Sequence, residues 1–197
     1  MIHSEKAIGL FGGTFDPVHI GHLIVAEWLS EVLKIKTTYF IPAKIHPFVS
    51  KSNISSSDNR IEMLSLALKE YPDFKISDVE IKRQEVSYTI DTIKFFKDEF
   101  PDSELYFYMG MDNLNTLEQW KDPNEILKMC YVVVYNRGIE LKAKDWLEHP
   151  KVIHVDSPLI EISSSHIRHR IKKGMAYRSL VPNQVFEYIN QKRLYLY

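Results

Sequence analysis

The stretch AIGLFGGTFDPVHIGH, residues 7–22, decides how the rest of the chain is read. It opens on Ala7–Phe11, a short apolar run of the kind that forms a buried strand. The run passes without a break into Gly12-Gly13-Thr14-Phe15-Asp16-Pro17, and a helical pattern begins near His19. Two glycines at a strand end are expected to let the backbone turn sharply and approach a ligand closely, because no Cβ stands in the way. The amides and dipole of the following helix favour an anion at the same place. Strand, glycine turn and helix start together predict a phosphate cradle at the carboxyl end of a strand.

Working outward, further short apolar runs fall at Thr37–Ile41, Leu105–Met109, Tyr131–Tyr135 and Val152–Val155. Helical periodicity separates them: Leu23, Ala26, Trp28, Leu29, Val32 and Leu33; Ile61, Met63, Leu64, Leu66, Ala67 and Leu68; Ile90, Ile93, Phe95 and Phe96. This alternation predicts an α/β fold, a Rossmann-like doubly wound parallel sheet with helices on both faces and ligand sites beyond the carboxyl ends of the strands. A closing helix is expected after Val181, with Pro182 in its first turn and Val185, Tyr188 and Ile189 inward. Residues 43–59, rich in Ser, Lys and Pro, read as a long mobile loop.

The chain has 197 residues, which one core can accommodate, so 1–197 is expected to be a single domain. Hydrophobic residues at 45% and charged residues at 26% place it among ordinary globular proteins. Its net charge of -1 supplies no global attraction for nucleic acid or an anionic membrane, so any polyanion must be held locally. The single cysteine, Cys130, excludes an internal disulfide and reads as a buried core thiol. With no signal-like start and no apolar run near the ~18 residues of a membrane span, a soluble cytoplasmic protein is expected.

His19 and His22 are three apart and share a helix face. A metal pair, two structural histidines, and N–H donors aimed at phosphate oxygens all compete. The metal reading lacks the usual four-residue spacing with an intervening Glu, and the structural reading places two histidines beside a cradle by accident. The phosphate reading is preferred. Asp16 is expected to cap the loop or the helix start. A second segment, Ser163-Ser164-Ser165 ahead of Ile167 and Arg168, offers a serine-capped helix start with a guanidinium one turn inward, suited to another phosphate. No obvious nucleophile–base pair is visible in the sequence.

Gly12-Gly13-Thr14-Phe15-Asp16-Pro17-x-His19-x-Gly21-His22 and Ile162-Ser163-Ser164-Ser165-x-Ile167-Arg168 resemble the two signatures of the nucleotidylyltransferase superfamily, and within it those of the bacterial nicotinate-nucleotide adenylyltransferases. Supporting matches are Arg60 with Met63, Ser87-Tyr88-Thr89-x-x-Thr92, Gly110-x-Asp112 followed by Trp120, Asn136-Arg137-Gly138, and Val181-Pro182-x-x-Val185-x-x-Tyr188-Ile189. The letters His-Ile-Gly-His are shared with a class of tRNA synthetases, whose lysine-rich second signature is not visible here.

The resemblance implies transfer of AMP from ATP to nicotinate mononucleotide. By it, His19 and His22 would contact ATP phosphates and stabilise the transferring group, with Arg168 in the catalytic set. Gly12, Gly13, Thr14, Phe15, Ser164, Ser165 and Arg168 would bind ATP. Thr89 and Trp120 would form the pyridine pocket, Asp112 would lie near ribose or metal, and Arg137 is a phosphate candidate. Mg²⁺ would ride mainly on the ATP phosphates, with no dedicated protein metal site. The departures are "IPAKIHPFVSK" after the second strand, where Lys44, His46 or Lys51 could replace a family His-Lys pair, Ser165 for a threonine, and Asn136 in the Arg137 motif. Rival readings are a sibling transferase with another acceptor, such as nicotinamide mononucleotide or phosphopantetheine, and a nucleotide-binding module without turnover. A homo-oligomer stays open, Tyr195 and Tyr197 being available to an interface or to a packed tail.

Overall fold

A computed structural model describes residues 6–44, 54–138, 142 and 144–196. Strands β1 (Ala7–Gly13), β2 (Thr37–Pro42), β3 (Phe74–Ile76), β4 (Glu104–Gly110), β5 (Cys130–Tyr135) and β6 (Val152–Val155) form one sheet. Its order is β3-β2-β1-β4-β5-β6, and every adjacent pair is parallel. Winding runs outward from β1 in one direction and from β4 in the other, so the β1/β4 seam is the switch point at which such sheets open a crevice.

All five expected strands are present. The sixth, β3, has only three residues and escapes periodicity. Side-chain alternation explains how the sheet is covered on both faces. Phe11, Phe40, Tyr106, Tyr108, Val133 and Val155 turn one way, against α1 (Ile20–Leu33), α2 (Ser57–Leu68), α8 (Ser164–Lys172) and α9 (Asn183–Lys192). Ile8, Leu10, Ile41, Leu105, Phe107, Met109, Val132 and Val134 turn the other way, against α4 (Thr89–Glu99) and α6 (Pro123–Met129). Short helices α3 (Val79–Lys82), α5 (Met111–Leu114) and α7 (Lys144–Leu147) fill the remaining connections. Among the described residues no helix is long and apolar enough to cross a membrane.

Several expectations need correction. The chain does not turn at Gly12-Gly13, which remain extended within β1. The left-handed residue is Phe15, at φ 50, and the Asp16–Pro17 peptide is cis. Pro182 caps α9 from outside its first turn; Val185 and Ile189 are buried, while half-buried Tyr188 donates its hydroxyl to Asn59 at 2.9 Å. The connection after β2 ends sooner than position 59, because α2 starts at Ser57 with Ser56 accepting the Asn59 amide. Most of that connection, residues 45–53, lies outside the described residues, as do His46, Lys51 and Tyr197. Cys130 is buried as expected, and burial pushes its thiol up to about 12.

One polar cluster interrupts the core. Thr38 Oγ1 lies 2.9 Å from Ser30 Oγ and 3.4 Å from Tyr108 Oη, and the three hydroxyls satisfy one another under α1. The cluster depends on Gly9, where a Cβ would fall 2.5 Å from both Thr38 Oγ1 and Tyr108 Oη. Gly9→Ala is therefore expected to destabilise the fold by ~1–3 kcal/mol through overpacking. Gly12→Ala, whose Cβ would meet Phe107 at an ordinary 3.6 Å, should leave stability nearly unchanged. Urea denaturation of the two variants beside the parent checks both.

Candidate active site

Beyond the carboxyl ends of β1 and β4 lies a cleft of about 360 Å³. The first segment supplies Gly12, Gly13, Thr14, Phe15, His19 and His22 to its wall, and the second supplies Ser164, Ser165 and Arg168. Arg137 lines it too, after β5. The two stretches are thus brought to one cavity, and the contacts that join them are direct. Arg168 Nη1 donates to the backbone carbonyl of Asp16 at 2.6 Å, and Ser164 Oγ donates to that of Pro17 at 2.9 Å. Ser163 caps α8 by accepting the His166 amide at 3.2 Å.

His19 is the N-cap of α1, and His22 stands on its first turn. The His19 amide donates to His22 Nδ1 at 3.2 Å, so His22 carries its proton on Nε2. The rings stack, centroids 3.6 Å apart at 19°. Phe15 and Phe11 meet the His22 ring edge-on at 4.9 and 6.0 Å. Burial lowers the His19 pKa to about 3, with Arg137 adding to the effect. His22 is held well below the ordinary histidine value by burial, then by His19 and Arg137. Both imidazoles are therefore neutral at neutral pH, and His22 is an N–H donor at Nε2. His19 Nδ1 is buried with no hydrogen-bond partner among the described residues.

Asp16 caps neither the loop nor α1. Its carboxylate, 0% exposed, accepts the Ser55 amide at 3.2 and 3.1 Å, the Ser55 hydroxyl, and the Tyr195 hydroxyl at 2.6 Å; Arg168 stands 3.8 Å from Oδ2. Beneath the turn, Arg60 is also 0% exposed and donates to the carbonyls of Thr14 and Ala43, each at 2.9 Å. Burial lowers its pKa, while Asp16 and Tyr195 act in the opposite sense.

The expected acceptor-side residues are placed differently. Asp112, in α5, lies 3.7 Å from Arg137, and its Oδ1 is buried without a hydrogen-bond partner. Gly110 makes that approach feasible, since a Cβ there would overlap both Asp112 Oδ1 and the Arg137 side chain. Trp120 does not line the histidine cleft. It is half-buried and meets Phe107 edge-on at 6.1 Å, and the edge of the Phe107 ring in turn lies near Gly12. Thr89, also outside the cleft lining, is the first residue of α4. The two positions are neighbours, because Lys121 stands 3.9 Å from Asp91 and 4.4 Å from the Tyr88 ring centre. Lys44 is committed elsewhere, donating to the carbonyls of Arg83 and, at 2.9 Å, Gln84.

Phe11, Tyr108, Met109, Asn113, Tyr135 and Ile54 also line the cleft and were not expected there, and Gly110, expected only as part of the Asp112 motif, lines it too. All but Ile54 sit at or just past the carboxyl ends of β1, β4 and β5, the end of a parallel sheet at which ligands gather.

Comparison with known proteins adds an independent line. The cytidylyltransferase-like family model matches residues 10–170. A protein of Flavobacterium johnsoniae named "Probable nicotinate-nucleotide adenylyltransferase" is 36% identical over 194 residues, 95% of this chain and 98% of its own length. A protein of the same name from Thermomicrobium roseum is 41% identical over 194 residues, 95% of this chain and 91% of its own. Among solved structures, Plasmodium falciparum nicotinic acid mononucleotide adenylyltransferase complexed with NaAD matches with a TM-score of 0.83 over 96% of this chain and 97% of that one; at 21% identity this is a likeness of fold. With the family's two signatures meeting in one cleft, the chain belongs to the cytidylyltransferase-like family and, within it, to the nicotinate-nucleotide adenylyltransferases.

Proposed function

We propose that the chain, acting as one domain, transfers AMP from ATP to nicotinate mononucleotide, giving nicotinic acid adenine dinucleotide and pyrophosphate. The observation that carries this reading is the cleft at the β1/β4 seam, where neutral His19 and His22 face Ser164, Ser165 and Arg168. In the reaction, a 5′-phosphate oxygen of the mononucleotide attacks the α-phosphorus of ATP in line. A new P–O bond forms, the bond from the α-phosphorus to the bridging oxygen breaks, and pyrophosphate leaves with that electron pair. The attacking oxygen is already anionic, so no side chain has to remove a proton, and the lowered pKa values of the histidines, which make them weak bases, are compatible with a role as hydrogen-bond donors.

In this reading the first turn of α1 and the serine-capped start of α8 hold the triphosphate from two sides. Donors comparable to an oxyanion-hole group contribute ~3–4 kcal/mol each to the transition state. His22 Nε2–H is the donor defined by its own hydrogen bond, and Arg168 brings fixed positive charge. Thr89 and Trp120 bind the pyridine end, and Arg137 binds phosphate.

Mg²⁺ would ride on the triphosphate, with Asp112, whose Oδ1 has no hydrogen-bond partner among the described residues, as the carboxylate assigned to the neighbourhood of ribose or metal. The ion supplies charge neutralisation on the phosphate oxygens. The reaction is placed in the cytoplasm, where ATP is plentiful.

Steady pyrophosphate release should require ATP together with nicotinate mononucleotide, and kcat/KM measured over a panel with nicotinamide mononucleotide and phosphopantetheine should favour the nicotinate substrate. ATP binding with no release for any acceptor would instead indicate a nucleotide-binding module. His22→Ala and His19→Ala should each lower kcat at least about a hundredfold with the circular dichroism spectrum retained; near-parental kcat in both would remove the histidines from the mechanism.

The pH dependence follows from the lowered histidine values. The unfolded chain takes up protons near pH 6.5 while folded His19 does so only near 3, so between those values the unfolded state binds more protons. The free energy of unfolding should therefore fall as pH drops through that window, and these groups add no slope above it. His19→Gln should flatten the decline in denaturant titrations, and the kcat profile should show no histidine inflection near pH 6.5.

A further inference from the structure

The segment after α9 has a use that the proposed reaction does not by itself explain. Arg193 ends the helix in the left-handed region at φ 52, and the Leu194 amide returns to the Ile189 carbonyl at 3.0 Å. Tyr195 follows, also left-handed at φ 65, a conformation that a bulky side chain keeps only where its surroundings impose it. Its hydroxyl supplies such a restraint. It donates to Asp16 Oδ1 at 2.6 Å, and lies 3.3 Å from Ser55 Oγ and 3.9 Å from Met63 Sδ. Burial, reinforced by the Asp16 charge, pushes the phenol far above its ordinary pKa, so Tyr195 keeps its proton and acts as a donor.

Asp16 is where this contact meets the site. It stands between Phe15, which lines the cleft, and Pro17, whose carbonyl takes the Ser164 hydroxyl. Its own carbonyl receives the Arg168 guanidinium, and its carboxylate lies within ion-pair range of the same group. Arg168 and Ser165 also line a second cavity of about 380 Å³, on whose wall are Ser55, Leu194, Tyr195 and Leu196. The end of the chain and the cleft are therefore separated by little more than the Arg168 side chain and the Asp16 turn. Leaving a buried carboxylate short of a donor is costly, and Asp16 bonds to the site through its backbone carbonyl as well as its side chain, so a relaxation there is felt by Arg168.

We propose that Tyr195 is a positioning residue for ATP: through Asp16 it fixes the Phe15–Pro17 turn and the guanidinium of Arg168 in the arrangement that receives the triphosphate. The inference rests on the reading of the cleft as an ATP site. It does not require that Tyr195 touch the nucleotide, and it assigns the residue no part in the acceptor pocket, where Thr89 and Trp120 stand on the opposite face of the sheet.

Tyr195→Phe keeps the ring and removes only the donor. Its dissociation constant and KM for ATP should each rise about tenfold, while KM for nicotinate mononucleotide stays within about twofold of the parent. Tyr177→Phe is the matched control: it deletes a part-buried hydroxyl bonded to Asn190 Oδ1 at 3.0 Å, neither residue lining the cleft, and should lower thermal stability without moving KM for ATP. An unchanged ATP affinity in Tyr195→Phe, or equal rises in both KM values, would overturn the proposal. If the parent itself neither binds ATP nor releases pyrophosphate, the reading of the cleft fails instead. A second measurement needs no variant: a non-hydrolysable ATP analogue should slow hydrogen exchange at the amides of residues 194–196 in the parent chain, and unaltered exchange there would count against the coupling.

Discussion

The guanidinium of Arg168, donating at 2.6 Å to the carbonyl of Asp16, is the interaction on which the site's existence depends. It joins residues 152 positions apart in sequence, one on the turn after the first strand and the other on the eighth helix. An arginine at this point could simply reach into solvent. It is held inward because the Asp16 carboxylate, wholly removed from water, requires nearby positive charge and several donors to be tolerated at all. The ion pair at 3.8 Å is loose, so its value lies less in stability than in orientation: the cation is pointed along one face of a cleft and kept there.

Below that contact the sheet sets the geometry. Parallel pairing of β1 with β4 puts Phe11 beside Tyr108, and opposite winding of the two halves leaves the crevice open above them. Arg60, fully buried, completes the support by holding the Thr14 and Ala43 carbonyls together from below. His22 then meets a crowded environment of Phe11 and Phe15 rings, buried so that the neutral form is the stable one. Rigid donors in such a setting do not have to reorganise as charge moves between phosphate groups, which is where electrostatic catalysis is most effective.

Much of this was legible in the letters. Apolar runs of β-branched and aromatic residues announced five strands, since a strand covered on both faces has to be apolar almost throughout. The two signatures announced their own convergence. What escaped detection has physical reasons. An apolar run of the kind that marks the other strands is missing from β3, whose Phe74–Ile76 is partly exposed and too short for a pattern. The left-handed turn sits on Phe15, where residue preference argues against it, rather than on the adjacent glycines. Asp16 looked like a cap because short acidic side chains usually serve nearby amides; its partners, Ser55, Arg168 and Tyr195, are distant in sequence and leave no local trace. Of the residues expected at the acceptor end, Trp120 and Thr89 are grouped beside α4 but apart from the histidines, a separation that spacing along the chain could not express.

The position of β1 in the sheet has a consequence for how the molecule is made. The first strand lies in the interior, and one of its two edges is completed only by Glu104–Gly110. Until that later segment has been synthesised, the apolar ribbon Ala7–Phe11 presents a row of unsatisfied amides and carbonyls, the feature that invites intermolecular strand pairing. A nascent chain that ends between β2 and β4 therefore exposes this edge before any nucleotide pocket exists.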